Sequence, residues 1–401
     1  MQVANRLQRS RLALVTLGHF LNDSYGGFFT PILPLLIEKL SLSLTAASGL
    51  ASIPSITAAI FQPLYGMASD RIRGRLFILL GPFLSVVCMG LIGVVPSAWL
   101  VGLLLLLAGL GSAAFHPQAV AAAGAVSGPR KGLGISVFTF GGSLGFAVGP
   151  LAIIGAVRFW GLDRSYYVIL PGLLCVLVML VSLHIPTGKT DRARTASLVE
   201  AFQGVQSPMA LLFVITVIRE FTRLAVATFL PIMLAMQGRS LLAGGITLSL
   251  FSLAGALGGM VGGVLSDTWG RKSVIAVSGL LCVPLLHGVF HTDGLLALFC
   301  LTLAAGTLSG ANSVVIALAQ ELVPTRAGTA SSVVMGLGWG VAGILLIGFG
   351  SLAEVIGVPR ALDIAITLPL LAFGLSLWLP HHVALQRESS TLVGEIALHE
   401  E

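Results

Sequence analysis

The sequence predicts an all-α membrane protein with twelve transmembrane helices in two pseudo-symmetric six-helix bundles. Three observations predict it: a composition too apolar for water, twelve apolar runs of bilayer-spanning length, and one constant offset relating the halves. Of the 401 residues, 56% are hydrophobic and 9% are charged, with mean hydropathy +0.99. Soluble domains carry roughly 25% charged residues, so this chain lacks the polar surface to cover itself in water. Its 49 glycines and 18 prolines suit membrane helices, where small residues allow close packing.

A hydrocarbon core about 30 Å thick needs about 20 residues of helix. Apolar runs of that order occur at 11–37, 44–69, 75–94, 97–126, 131–157, 166–185, 208–236, 241–266, 272–290, 294–320, 326–353 and 359–379, here spans 1 to 12. Span 1 follows Arg6, Arg9 and Arg11 as a signal peptide would. It continues past Asp23 without a clear cleavage site, so it is expected to be a retained helix. Leaving aside Arg219 and Arg223 inside span 7, Lys and Arg divide fifteen to five in favour of the side holding the N-terminus. Positive loops stay inside, so both termini are expected in the cytoplasm and the chain in a cell inner (plasma) membrane. The net charge of +6 is then a topology signal, and no nucleic-acid partner is expected. Cys88, Cys175, Cys282 and Cys300 all fall inside spans with no CxxC. That pattern indicates neither a disulfide framework nor a metal site, and no cofactor is expected.

The polar stretch PTGKTDRARTASLVEAFQGVQS at 186–207 reads as a cytoplasmic linker between bundles at 1–185 and 208–380, with a cytoplasmic tail at 381–401. One offset, 197 residues, relates Pro34 to Pro231, Gly66 to Gly263, Asp70 to Asp267, Gly109 to Gly306 and Gly141 to Gly338. Five pairs on one offset mark an internal repeat.

The residues that carry chemistry sit where a membrane makes them costly. GHFLNDSYGG (18–27) places His19, Asn22 and Asp23 on one face of span 1. A charge at the bilayer centre costs at least about 2.5–3.5 kcal/mol, so such groups face the bundle interior or a watered cavity. Asp23 is expected to exchange a proton there, with His19 and His116 tuning it. Asn22 is read either as inter-helix glue or as a substrate contact. In span 7, VIREFTR (217–223) puts Arg219, Glu220 and Arg223 on an arc of roughly 100°. By the 197-residue offset, Glu220 is the repeat mate of Asp23 and Arg219 that of Asn22. Glu220 is a second proton-coupling candidate. Arg219 and Arg223 can grip an anionic substrate, since guanidinium stays charged and binds carboxylate or phosphonate in a planar fork. The alternative is a self-neutralising structural cluster. Gln62, Gln118, Asn312 and Ser313 are further polar substrate candidates, and His116–Pro117 suggests a local break in span 4.

GVLSDTWGRK (263–272) and its earlier copy GMASDRIRGR (66–75) resemble the signature loop of the major facilitator superfamily, and the resemblance extends over essentially the whole chain. The first copy has one extra residue between its aspartate and its glycine–arginine pair. The resemblance implies two halves with a substrate path between them. It implies gating roles for Gly66, Asp70, Arg71, Arg75, Gly263, Asp267 and Arg271, while Glu321 and Arg326 in ELVPTRAG are expected to make a structural cytoplasmic contact. HFLND in span 1, SAAFHPQA in span 4 and SVFTFGGSLGFAVGP in span 5 resemble the fosmidomycin-resistance branch, which exports small toxic compounds in exchange for protons. Where that branch carries an acidic residue after the His-Pro pair, this chain has Gln118, so no proton site is expected at that position. Gly141, Gly145 and Gly149 form a stripe ending at Pro150, read as a packing surface or as part of the proline-containing motif of drug:proton antiporters.

The implied activity is proton-coupled efflux of a small molecule by a monomer. The alternative is an uptake symporter or facilitator for an organic anion. A membrane enzyme is disfavoured, since no Walker motif, HExxH, GxSxG or DxD cluster appears. The topology is open to test with Asp191→Cys in a cysteine-free background. A membrane-impermeant thiol reagent should reach residue 191 only from the cytoplasmic face, and labelling from outside alone would overturn the orientation.

Overall fold

A computed structural model of the chain describes residues 2–68, 74–127, 131–183 and 203–380. Every described element is helical, and twelve rods correspond to the twelve spans. Nine stretches are long and apolar enough to cross a bilayer among the described residues. The three outside that set have evident reasons. Span 1 starts with a polar segment in Gln2–Gly26, span 3 is short at Gly74–Leu91, and span 7, Gln206–Met236, contains Arg219, Glu220 and Arg223.

Several rods depart from simple helices. Span 1 breaks at Gly27 and resumes as Phe29–Leu40, where Pro31 has no N–H to return to Gly27. Span 4 corrects the expected break. Ala98–Val126 runs continuously through Pro117, since a membrane helix tolerates one lost bond when neighbours pack around it. The break lies instead in its repeat counterpart, span 10, which divides into Gly294–Gly310 and Asn312–Leu322. Span 11 contains a π-helical turn, Ser332–Leu337, before Gly338–Ile356. Such wide turns recur at functional sites.

The 197-residue offset holds in packing. Gly109 of span 4 lies against Thr57 of span 2, and Gly306 of span 10 lies against Ala254 of span 8, each member displaced by 197. Arg75 donates from Nη2 to the Leu180 carbonyl, and Lys272 donates from Nζ to the Leu377 carbonyl at 2.6 Å. Each of these cations, again 197 apart, satisfies a carbonyl at the end of the last span of its own half. Orphan carbonyls at helix ends need such partners.

The two halves meet through span 2 against span 11 and span 5 against span 8. Gly350 lies on Ser48, Gly343 on Ser55, and Gly245 on Ile154. Thr45 N–H donates to Glu354 Oε1 at 2.8 Å, and the hydroxyls of Thr45 and Ser351 are 3.0 Å apart. These contacts gather toward the end remote from the Lys/Arg-rich loops. Within the N-terminal half, the glycine stripe of span 5 is the tightest seam. A Cβ on Gly145 would meet the Phe20 carbonyl and lie 2.9 Å from Ser24 N, while Gly155, farther along the helix, faces nothing within 4 Å. Gly145→Val should therefore lower the thermal midpoint in detergent, at an overpacking cost of about 1–3 kcal/mol. Gly155→Ala should leave it unchanged, and equal effects from the two would remove the seam's special role.

Candidate functional site

Asp23 sits four residues after His19 in the first helix of span 1, so the two side chains lie one above the other. His19 Nε2 is 3.1 Å from Asp23 Oδ2. His116, carried over from span 4, places Nε2 3.5 Å from Asp23 Oδ1. Both rings are anchored at their other nitrogen. His19 Nδ1 donates to the Phe138 carbonyl of span 5 at 2.8 Å, and His116 Nδ1 donates to the Ser112 carbonyl at 2.8 Å. Asn22 completes the cluster. Its Nδ2 donates to Asp23 Oδ1 (2.9 Å) and to Ser112 Oγ (3.1 Å), and its Oδ1 accepts from Ser85 Oγ of span 3 at 2.9 Å. Asn22 thus ties spans 1, 3 and 4 together.

Gly142, next in sequence to the stripe, makes room for this arrangement. A Cβ there would lie 2.6 Å from Asp23 Oδ2 and collide with the His19 ring. The ring stacks on Phe138 with centroids 4.1 Å apart and faces Phe115 at 5.8 Å. Asp23 is only 4% exposed and so does not itself face the open interior as expected; it lies inside its own bundle. The His116 side chain, by contrast, is 32% exposed. The ligand atoms of His19, Asp23 and His116 lie within 4.8 Å of one another, a spacing a cation could share. The ring-to-carboxylate distances, 3.1 and 3.5 Å, are short enough for a proton to be shared between Asp23 and each histidine.

Span 7 repeats the frame with different chemistry. Arg219 occupies the place of Asn22 and, as Asn22 reaches span 4, it reaches span 10: Nη2 donates to the carbonyls of Thr307 (3.2 Å) and Leu308 (2.5 Å). Arg219 is 3% exposed, and its Nε and Nη1 have no hydrogen-bond partner. Glu220 accepts from Arg223 Nε at both carboxylate oxygens, 3.1 and 2.5 Å. Arg219, Glu220, Thr216 and Asn312 line a cavity of ≈ 60 Å³ whose other walls include Trp339 and the π-turn residues Val334 and Met335. The unpaired Nε and Nη1 are themselves buried, so the guanidinium has donor capacity left for an anion but must turn to offer it to that volume.

The remaining candidates scatter. Gln62 and Gln118 are half-buried on spans 2 and 4. Ser313 donates to the Gly259 carbonyl at 2.9 Å, linking spans 10 and 8 next to Gly263. Arg271 joins three of the loop residues: Nη1 donates to Asp267 Oδ1 at 2.6 Å, and Nε and Nη2 donate to Glu321 Oε1 at 3.1 and 3.0 Å. Glu321 is thus engaged by Arg271, and Arg326 lies in the short turn Pro324–Arg326 that follows it. Asp70 and Arg71 lie outside the described residues, and Gly66 is within the helix Leu44–Ala68. Sequence reading missed Ser85, Ser112, Gly142, Trp339 and the π-turn. Ser112 was findable, standing one turn before His116; the others have no local signal.

The chain resembles several known proteins. It is 26% identical over 379 residues to the fosmidomycin resistance protein of Escherichia coli (strain K12), covering 92% of each chain. It is 28% identical over 376 residues to an uncharacterized MFS-type transporter, YfnC, of Bacillus subtilis (strain 168), covering 90% of each. Among solved structures, that of a point mutant of the nucleoside transporter NupG superposes with a TM-score of 0.77 at 14% identity, covering 92% of this chain and 99% of that one; this likeness concerns the fold alone. The family model of the Major Facilitator Superfamily matches residues 15–347, and with the doubled six-helix frame already in place the chain belongs to that superfamily, as a multi-pass membrane transporter of small molecules.

Proposed function

We propose that the protein exports small anionic compounds, phosphonate-like or antimicrobial, in exchange for protons by alternating access. The observation that carries the reading is the pairing of two repeat-related sites. A carboxylate held between two histidines occupies one half, and an arginine with unused donors lines a cavity in the other. The first suits proton exchange, because histidine titrates near neutral pH and its balance with a neighbouring carboxylate shifts with small changes of surroundings. The second suits an anionic head group. The likeness to a fosmidomycin resistance protein supports efflux and a phosphonate-like cargo. The halves' closest contacts lie at the end remote from the basic loops, which fits a state open to the cytoplasm. The paired loops around Asp70 and Asp267 would close that side in the opposite state.

Asp23→Asn should abolish proton-driven accumulation while leaving counterflow exchange intact. The test uses purified protein in liposomes with a pH-sensitive dye, under gradients of each sign, which also sets direction. Accumulation at the wild-type rate by the variant would end the proton role.

Arg219→Lys keeps the charge and loses the fork. It should weaken binding of an anionic compound by about 1.5–3 kcal/mol, roughly 10- to 100-fold in Kd, and of a neutral analogue far less. Equal losses for both would make the span 7 cluster structural.

A further inference from the structure

The cluster in the N-terminal half has a feature that proton coupling alone does not require. A neutral imidazole has one N–H and one bare nitrogen. Both histidines spend Nδ1–H on a backbone carbonyl, Phe138 for His19 and Ser112 for His116, each at 2.8 Å. In the neutral ring Nε2 is therefore bare, and in both cases Nε2 is the atom turned to Asp23. Lone pair against carboxylate is repulsive, so each contact becomes a hydrogen bond only when a proton lies in it. One carboxylate thus faces two places where a proton can sit, one on each oxygen.

The two places differ in access. The contact with His19 is sealed: His19 and Asp23 are buried, Phe138 covers the ring, and Gly142 closes over Oδ2. The contact with His116 is longer, and its ring is a third exposed. No competing charge intervenes. The ionisable groups acting on Asp23 are His19 of its own helix and His116 of span 4. Span 3 contributes the Ser85 hydroxyl through Asn22, span 5 the Phe138 carbonyl and Gly142, and span 6 packs Met179 against Gly18 of the same helix.

We infer that Asp23 carries two proton seats in series: an inner one shared with His19, and an outer one shared with His116 through which the inner is filled and emptied. A proton from water binds His116 Nε2 and passes to Asp23 Oδ1. Half a turn of the carboxyl about Cβ–Cγ carries that same proton to the place facing His19, where it passes to Nε2, and release runs in reverse. His116 is the port, His19 the store, and Asn22 a positioning residue that holds Oδ1 toward the port. The inference rests on the proton-coupling reading, and its test needs no substrate.

Purified full-length protein in unbuffered detergent is given a rapid acid pulse, and proton uptake is followed with an indicator dye. Wild-type protein should take up protons in a fast and a slow phase, and His19→Gln should lose only the slow one. His116→Gln should lose both, because removing the port also silences the store. Survival of the slow phase in His116→Gln would overturn the series arrangement. Should the variants misfold, ¹⁵N spectra of histidine-labelled wild type decide the same point. The two histidines of the cluster should keep Nδ1 protonated while Nε2 gains and loses the proton, and neutral rings protonated on Nε2 would refute it. Two-phase uptake without proton-driven accumulation in liposomes would sink the coupling reading and leave the seats standing. Accumulation with a single, His116-independent phase would do the opposite.

Discussion

The structure depends on one constraint: span 1 must lie against span 5 without side chains between them. Phe20 and Ser24 present backbone to Gly145 and Gly149, Thr16 presents its methyl and its carbonyl to Gly141, and each of those glycines would clash if it carried a Cβ. In a bilayer, helices gain little from hiding apolar surface, since lipid tails are as apolar as leucine. Close backbone approach supplies the packing instead. The same approach carries Gly142 onto Asp23 and His19, and so excludes water from the carboxylate. The polar cluster is placed by the glycine face and sealed by it.

Around that seam the two halves share a frame and divide the chemistry. The 197-residue offset survives in small-residue contacts and in the Arg75 and Lys272 caps. It survives also in the link from span 1 to span 4, where Asn22 reaches Ser112, and from span 7 to span 10, where Arg219 reaches the Thr307 and Leu308 carbonyls. What changed between repeats is charge. Where the first half has a satisfied amide, the second has a guanidinium with donors left over. Where the first has His19 and His116, the second has Thr216 and Ser313, the carboxylate pairing instead with Arg223, the mate of Gly26. A neutral amide closes a network, whereas a cation with spare donors leaves room for an anion.

Much of this was legible in the chain. Hydropathy and the repeat located the rods, because a span must be about 20 apolar residues and a duplicated half keeps its offset. The His19–Asp23 pair was legible from its i, i+4 spacing, and the acidic mate at Glu220 from the offset. What escaped was what depends on neighbours in space. The partners of Asn22 come from spans 3 and 4, and nothing local to Ser85 marks it. The expected break at Pro117 is absent, and the break at Ala311 carries no proline. Span 11's π-turn leaves no pattern in SVVMGL that an ordinary helix would not share. A costly charge must face something polar, and for Asp23 that partner is the expected pair of histidines, within its own bundle.

The distribution of polar contacts explains how such a molecule can move. Among the described residues the buried charged contacts stay inside one half: Asp23 with His19, His116 and Asn22; Glu220 with Arg223; Arg219 with span 10. Breaking a buried charge pair costs about 3–5 kcal/mol, so each bundle resists internal rearrangement. Between the halves the described contacts are of another kind. Glycines and serines slide past one another, and the carboxylate of Glu354 on the Thr45 N–H is exposed to solvent. Exposed polar contacts contribute little, because water replaces what is lost. Polar contacts are therefore strong within each half and weak between them, where the described packing is apolar and small-residue. That ordering of energies, set by where glycine, serine and the ionisable residues fall along the chain, is what rocking two bundles about a central path requires.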